Sequence, residues 1–420
     1  MKKLIFLTGL LVAGFSAMPQ QTITLQDCYD KAKENHPIGL QKAELEKIIR
    51  LNQDITASSW LPHTTFNAQA TYQSDVITIG MDLPGFDFPS PTRDQYRMSA
   101  EVQQIIYDGG QIKQKRNLNE AQHLAEIQNI EVQVYQVLTQ VNHHFFRHFI
   151  LAENLKVMDL TLEEITQQLN AVKSGVENGT LLPSNQWALE AELLQLQQKR
   201  DEWFALHTSN LEILEILTNA DLKDKNLVLP DEMLHEDKPL NRPEVKLFNL
   251  QKESLHAASR LTATSRRPRV STFAQVGYGR PGLNMLSEDF EFFYLAGIRV
   301  SWNLWDWKRT DKQRQIQQVK TEMVDHQQQL FKQKTNIALT AVTALISQLE
   351  ETAQKDLEII SLREQILEGA RSQLQNGVIT STEYLQQLNA LARARIQHQT
   401  NQIRLIQARA EYNTIRGNHN

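Results

Sequence analysis

The chain has 420 residues, 41% of them hydrophobic and 22% charged, with a formal net charge of -5. This is too apolar for a disordered chain, and it lacks the basic surplus expected of a nucleic-acid binder. The single cysteine, Cys28, excludes an intrachain disulfide and reads as a small buried residue on a helix.

Residues 1–20 predict a secretory signal. Lys2 and Lys3 precede an apolar run from Leu4 to Phe15, and the small residues Ser16 and Ala17 follow. That run is shorter than a membrane span, and no later stretch reaches the roughly eighteen apolar residues that a membrane helix needs. Any crossing of a bilayer must therefore use β-strands.

Two copies of one unit follow, 21–218 and 244–420, joined by a polar linker at 219–243. Asn35-His36-Pro37 recurs as Asn241-Arg242-Pro243, and at the same shift Pro62 meets Pro268 and Tyr72 meets Tyr278. Beyond a longer loop in the first copy, Tyr107-Asp108 meets Trp305-Asp306, and Asn178-Gly179 meets Asn376-Gly377. Each copy reads as helix, two strands, a long helix, a tip turn and a return helix. The linker carries Pro230, Pro239 and Pro243 and is expected to form an irregular equatorial collar.

Strands are predicted at about 63–73 and 96–106, then at 269–279 and 292–303, because apolar and polar residues alternate there. Phe66, Ala68, Ala70 and Tyr72 share one face; so do Tyr96, Met98, Ala100 and Val102, and Tyr294, Ala296, Ile298 and Val300. Aromatic residues gather at the two ends. Tyr72, Phe86, Phe88, Tyr96, Tyr278, Phe292, Phe293 and Tyr294 lie near one; Tyr107, Trp302, Trp305 and Trp307 lie near the other. Two aromatic girdles on strands of about ten residues suit a lipid-facing barrel. Four strands cannot close one, so several chains must pool theirs.

Helical hairpins are predicted at 108–218 and 306–416. Asp108 and Asp306 stand where an N-cap is wanted, and Gly109-Gly110 relax the first turn. Ile127, Val134, Val141, His148, Leu155, Leu162, Leu169 and Val176 are spaced by seven. Leu339, Ile346, Ala353, Ile360, Leu367 and Leu374 are as well. The return helix adds Leu189, Leu196, Trp203 and Leu217. These patterns predict antiparallel coiled-coil hairpins. His143, His144 and His148 invite a metal reading, but His148 falls on the apolar seam, which favours packing. No nucleophile–base pair, glycine-rich phosphate loop or cysteine cluster stands out. No catalytic, cofactor-binding or metal residue is assigned, and an enzyme is not expected.

Leu25-Gln26-Asp27-Cys28-Tyr29-Asp30-Lys31-Ala32 with Asn35-His36-Pro37, Leu61-Pro62, Arg267-Pro268 and Tyr107-Asp108-Gly109-Gly110 resemble the TolC-like outer membrane efflux proteins. The resemblance covers nearly the whole mature chain and supplies the number three. It implies a homotrimer: a twelve-stranded outer-membrane β-barrel continuing into a periplasmic α-helical coiled-coil barrel. It also implies a passive exit duct, partnered by a periplasmic adaptor and an inner-membrane transporter of RND or ABC type. Asn178, Gly179, Thr180 and Leu181, with Asn376, Gly377, Val378 and Ile379, would form the periplasmic tips that meet the adaptor. Glu383 would constrict the pore. Gln386 and Ile379 depart from the family's gate pattern. Thr380-Ser381-Thr382-Glu383 also reads as a capping box, so Glu383 has two readings. A periplasmic coiled-coil scaffold or adaptor remains the alternative function.

Overall fold

A computed structural model describes residues 22–77, 92–223, 225–230, 239–285 and 287–418. The fold is mainly helical with few strands. It divides into two units. One holds the chain up to Gly39, Gln133–Asn241 and the chain from Thr335; the other holds Leu40–Val132 and Arg242–Lys334.

The second unit is built on a four-stranded antiparallel sheet. Its strands are β2 (His63–Tyr72), β3 (Asp94–Tyr107), β5 (Arg269–Arg280) and β6 (Glu291–Ser301), in the order β2-β3-β5-β6. The register aligns the alternating residues across all four strands. Ala68 faces Met98, Met98 faces Tyr278, and Tyr278 faces Phe292. One face is thereby apolar from edge to edge, and β2 and β6 are left as open edges. A β-bulge at Ile105/Tyr107 sets Tyr107 opposite Val270. Strict alternation from Val102 would have turned Tyr107 to the polar face; the one extra residue returns it to the apolar one.

Helices α2 (Pro37–Ser58) and α5 (Pro243–Ala263) precede the two strand pairs. Each begins on a proline, whose missing N–H costs nothing at a helix start. A short 3-10 turn at Thr264–Arg266 ends α5. Leu118, Ala121 and Ala257 form a small buried cluster in this unit.

The long helices α3 (Gln111–Glu177) and α6 (Arg309–Gln375) leave the sheet through matching corners. Asp108 accepts from the Gly110 and Ile112 amides at 2.8 and 2.5 Å. Asp306 accepts from the Thr310 amide at 3.0 Å. Both are N-caps. Gly109 and Gly110 have φ of 70° and 84°, and Trp307 and Lys308 adopt the same left-handed pair at 52° and 61°. The second corner thus makes the glycine turn without glycine.

In the first unit, α4 (Pro183–Thr218) and α7 (Ser381–Arg416) run back from the tips, and α1 (Leu25–Asn35) packs on the same core. The short strands β1 (Thr22–Ile23) and β4 (Asn226–Leu227) pair in parallel, so part of the linker joins this core through Leu222 and Leu227. Cys28 is fully buried on α1, and burial pushes its thiol up to about 12.

The heptad line predicted for α3 includes the buried Val134 and Val141, but in the later part of the helix a different line lies deeper. Leu155, Leu162, Leu169 and Val176 are half-buried, whereas Leu151, Met158, Ile165 and Val172 are buried. The deep line lies three residues along, at the other apolar position of the heptad. In α6 the predicted line does include the buried Ile346, Leu367 and Leu374. On α4, Asn210 fills the place that the Leu189 series skips. It is 2% exposed and exchanges two hydrogen bonds with His144, at 2.9 Å to its carbonyl and 2.8 Å to Nδ1. The His148 ring lies 4.6 Å from that of His207. Burial, then the neighbouring His207, lowers His148 to about 4.

Candidate functional site: the sheet face and the hairpin tips

The apolar sheet face carries most of the predicted girdle. Phe66, Tyr294 and Ile298 on it are 70, 74 and 68% exposed, far more than a soluble sheet leaves uncovered. Tyr72, Tyr96, Tyr278 and Tyr294 stand at the end of the sheet that holds the β2–β3 and β5–β6 connections, where Phe290 stacks on Tyr96 and Tyr278. Tyr107 and Trp302 stand at the opposite end. The Trp302 indole N–H donates to the Arg266 carbonyl at 3.0 Å. Trp305 lies past the strand, edge-on to Trp307 at 5.8 Å. Phe86 and Phe88 lie outside the described residues.

Phe293 departs from the expected girdle. It turns to the polar face, buried against Gly277, where an added Cβ would come within 2.3 Å of its ring. Phe273 covers Gly297 in the same manner, at 3.0 Å. Each ring carries a guanidinium: Arg97 lies 5.4 Å from the Phe293 centroid, and Arg299 lies 4.9 Å from that of Phe273. Such glycine–phenyl–guanidinium stacks need partners on neighbouring strands, so strand alternation alone could not reveal them.

Both tips close as Schellman motifs. Gly179 and Gly377 have φ of 72° and 70°. Their amides bond to Val176 and Leu374, and the next amides, of Thr180 and Val378, reach Gly175 and Gln373. Asn178 and Asn376 donate to the Ser174 and Ser372 carbonyls, each at 2.8 Å. Leu181 and Ile379 pack into the core of the hairpins, while Val378 stays 71% exposed. Leu182 is another exposed apolar residue at the tip.

Glu383 completes a capping box with Thr380. Its carboxylate accepts from the Thr380 amide at 2.8 Å, and the Thr380 hydroxyl accepts from the Glu383 amide at 3.3 Å. The Thr380 amide, then its hydroxyl, hold this carboxyl below its usual range. The two hairpins are tied near the tips by bonds that no local pattern announces. Arg371 on α6 pairs with Glu164 on α3 at 2.5 Å. Asn185 accepts from the Ser381 amide at 2.8 Å, and Asn389 donates to Glu192 at 2.7 Å. These partners lie about two hundred residues apart in the chain.

The fold is similar to that of solved outer membrane channels. A structure of CusC describing folding and transmembrane channel formation superposes with a TM-score of 0.72 at 12% identity, over 94% of this chain and 92% of that one. The Campylobacter jejuni CmeC outer membrane channel gives 0.69 at 14%, over 94% and 85%. The open Neisseria gonorrhoeae MtrE outer membrane channel gives 0.66 at 14%, over 94% and 89%. No curated protein sequence matches the chain. Residues 28–201 match the outer membrane efflux protein family, so the resemblance to TolC-like outer membrane efflux proteins holds by family over that stretch and by fold over nearly the whole chain. The family is one of outer-membrane efflux channels.

Proposed function

We propose that the chain is one subunit of a trimeric, passive exit duct in the outer membrane. It would conduct substrate from a periplasmic adaptor and an inner-membrane pump of RND or ABC type. The observation that carries this reading is the sheet: apolar across one whole face and open at β2 and β6. In lipid an unpaired strand edge costs several kcal/mol per group, so the sheet needs neighbours to close it. Three copies supply twelve strands, with the polar face lining the lumen. The equivalent corners at Asp108 and Asp306 support an internal duplication.

Among the described residues no helix is long and apolar enough to cross a membrane. The tips at Asn178–Leu181 and Asn376–Ile379 would present Val378 and Leu182 to the adaptor. Glu383 is committed to its cap, and a pore ring of three copies would use the outward side of the same carboxylate. A periplasmic scaffold would share the hairpins but would have no use for the apolar sheet face.

The purified protein should insert into planar bilayers and conduct. Recovery in the soluble periplasmic fraction, together with absence of conductance, would sink the duct. Glu383→Gln should weaken block by divalent cations applied from the tip side. Unchanged block would leave Glu383 a helix cap alone.

A further inference from the structure

Where the polar face of the sheet meets the starts of the helices, a cavity of about 480 Å³ opens between β3, β5, β6, α2 and α3. Three cations line it: Lys115, Arg269 and Arg299. Among the described residues no ion pair engages any of them. The single carboxylate in the lining is Asp108, and its oxygens are occupied by the Gly110 and Ile112 amides. The cavity therefore has an excess of positive charge with no internal counter-ion.

The Arg299 guanidinium lies over the Phe273 ring, 4.9 Å from its centroid, and that ring in turn rests on Gly297. A stacked guanidinium keeps its N–H edge free and loses little freedom when that edge is used. Ser271 and Ser301 add hydroxyl donors beside the arginines. On the helix side the wall is apolar, formed by Ile55 and Ile112, with Ile105 below. A basic end with forked donors suits an oxyanion, and an apolar wall suits a hydrocarbon body.

We propose that this cavity binds a small amphiphilic organic anion, a carboxylate or sulfonate on an apolar body. The proposal rests on the duct reading in taking that anion to be cargo in transit. The oxyanion sits against Arg269 and Arg299, with Lys115 as a third, more mobile charge, and the apolar body lies along the isoleucines. Three symmetry-related cavities would then form a basic belt between the strands and the helices, so anionic cargo is favoured over cationic cargo at this level of the duct.

The test is calorimetry on the full chain in zwitterionic nanodiscs, with 1-naphthalenesulfonate as probe and 1-naphthylmethylammonium as its cationic counterpart. The sulfonate should bind once per chain and weaken with added salt, and the ammonium should not bind. Arg299→Gln and Arg269→Gln should each weaken the sulfonate about tenfold, the scale of one charge-assisted hydrogen bond. Lys115→Gln, at an exposed helix position outside the sheet, should weaken it by a smaller factor and guards against a folding defect in the strand variants. Equal affinity for the two probes, or unchanged sulfonate affinity in all three variants, overturns the site. Planar-bilayer conductance of the same preparations separates the two readings. A conducting protein that ignores the sulfonate loses the site and keeps the duct. A protein that binds it with this charge dependence but never conducts keeps the site and loses the duct.

Discussion

Gly109-Gly110 and Trp307-Lys308 occupy equivalent steps of the two strand-to-helix corners, all with positive φ. Only the first was legible as a turn from its residue type. At Gly109 an added Cβ would also stand 2.7 Å from Arg267 Cβ, so Gly109→Ala meets both a backbone penalty and a clash. It should cost roughly 2–3 kcal/mol or more, combining left-handed strain with overpacking. At Gly179 the same φ meets nothing within 4 Å, so Gly179→Ala should cost only about 1 kcal/mol. Lys308→Gly should act in the opposite sense and stabilise by about 1 kcal/mol, since glycine relieves a left-handed lysine. Thermal or denaturant unfolding of the three variants checks the order; a Lys308→Gly protein less stable than the parent would contradict it. His148 is a different case. Burial holds its imidazole to about 4, whereas an unfolded histidine titrates near 6.5. Below that pH the unfolded chain binds the proton first, so stability falls as pH drops from about 6.5 toward 4. His148→Ile should flatten that decline, leaving the part due to His207, whose imidazole burial also lowers. An unchanged slope of melting temperature against pH would remove His148 from the acid response.

Whole elements were largely legible. Period-two alternation marks the strands because one sheet face meets a different environment from the other, and period seven marks the hairpins because helices supercoil on an apolar seam. Deeper detail was not available at this level. A heptad has two apolar lines, and spacing does not say which is covered more deeply; in α3 the predicted line is buried at Val134 and Val141, and the Leu151–Val172 line takes over beyond them. The bulge at Ile105/Tyr107 is invisible to alternation, since it appears only when β5 lies alongside β3. The same holds for Phe273 and Phe293. Phe293 reads as a girdle residue, and Phe273 as a strand aromatic of no particular kind, until a glycine on the neighbouring strand makes room for each ring. The capping box at Thr380 and Glu383 was readable because all its atoms lie within one turn.

For the assembled protein, α6 presents a seam that the single chain leaves uncovered. Ile316, Met323, Leu330 and Ile337 are spaced by seven, and each is more than half exposed. A seam of this kind needs another helix, and in the proposed trimer a second copy of the chain would supply one. If the chain forms the proposed trimer, Met323→Asp with Leu330→Asp should leave helix content intact while lowering the mass in light scattering of the detergent-solubilised form to that of one chain. A trimer that survives both changes would place the subunit contact elsewhere. What the amino-acid order determined unaided is what recurs along the chain: alternating strands, heptads, tip glycines and caps. These depend on faces and turns within a few residues, so local chemistry specifies them. Only the tertiary structure decided the order β2-β3-β5-β6, the deeper seam, the Arg371–Glu164 tie and the basic cavity at Arg269 and Arg299. Each depends on residues far apart in the chain, and their energies exist only once those partners meet.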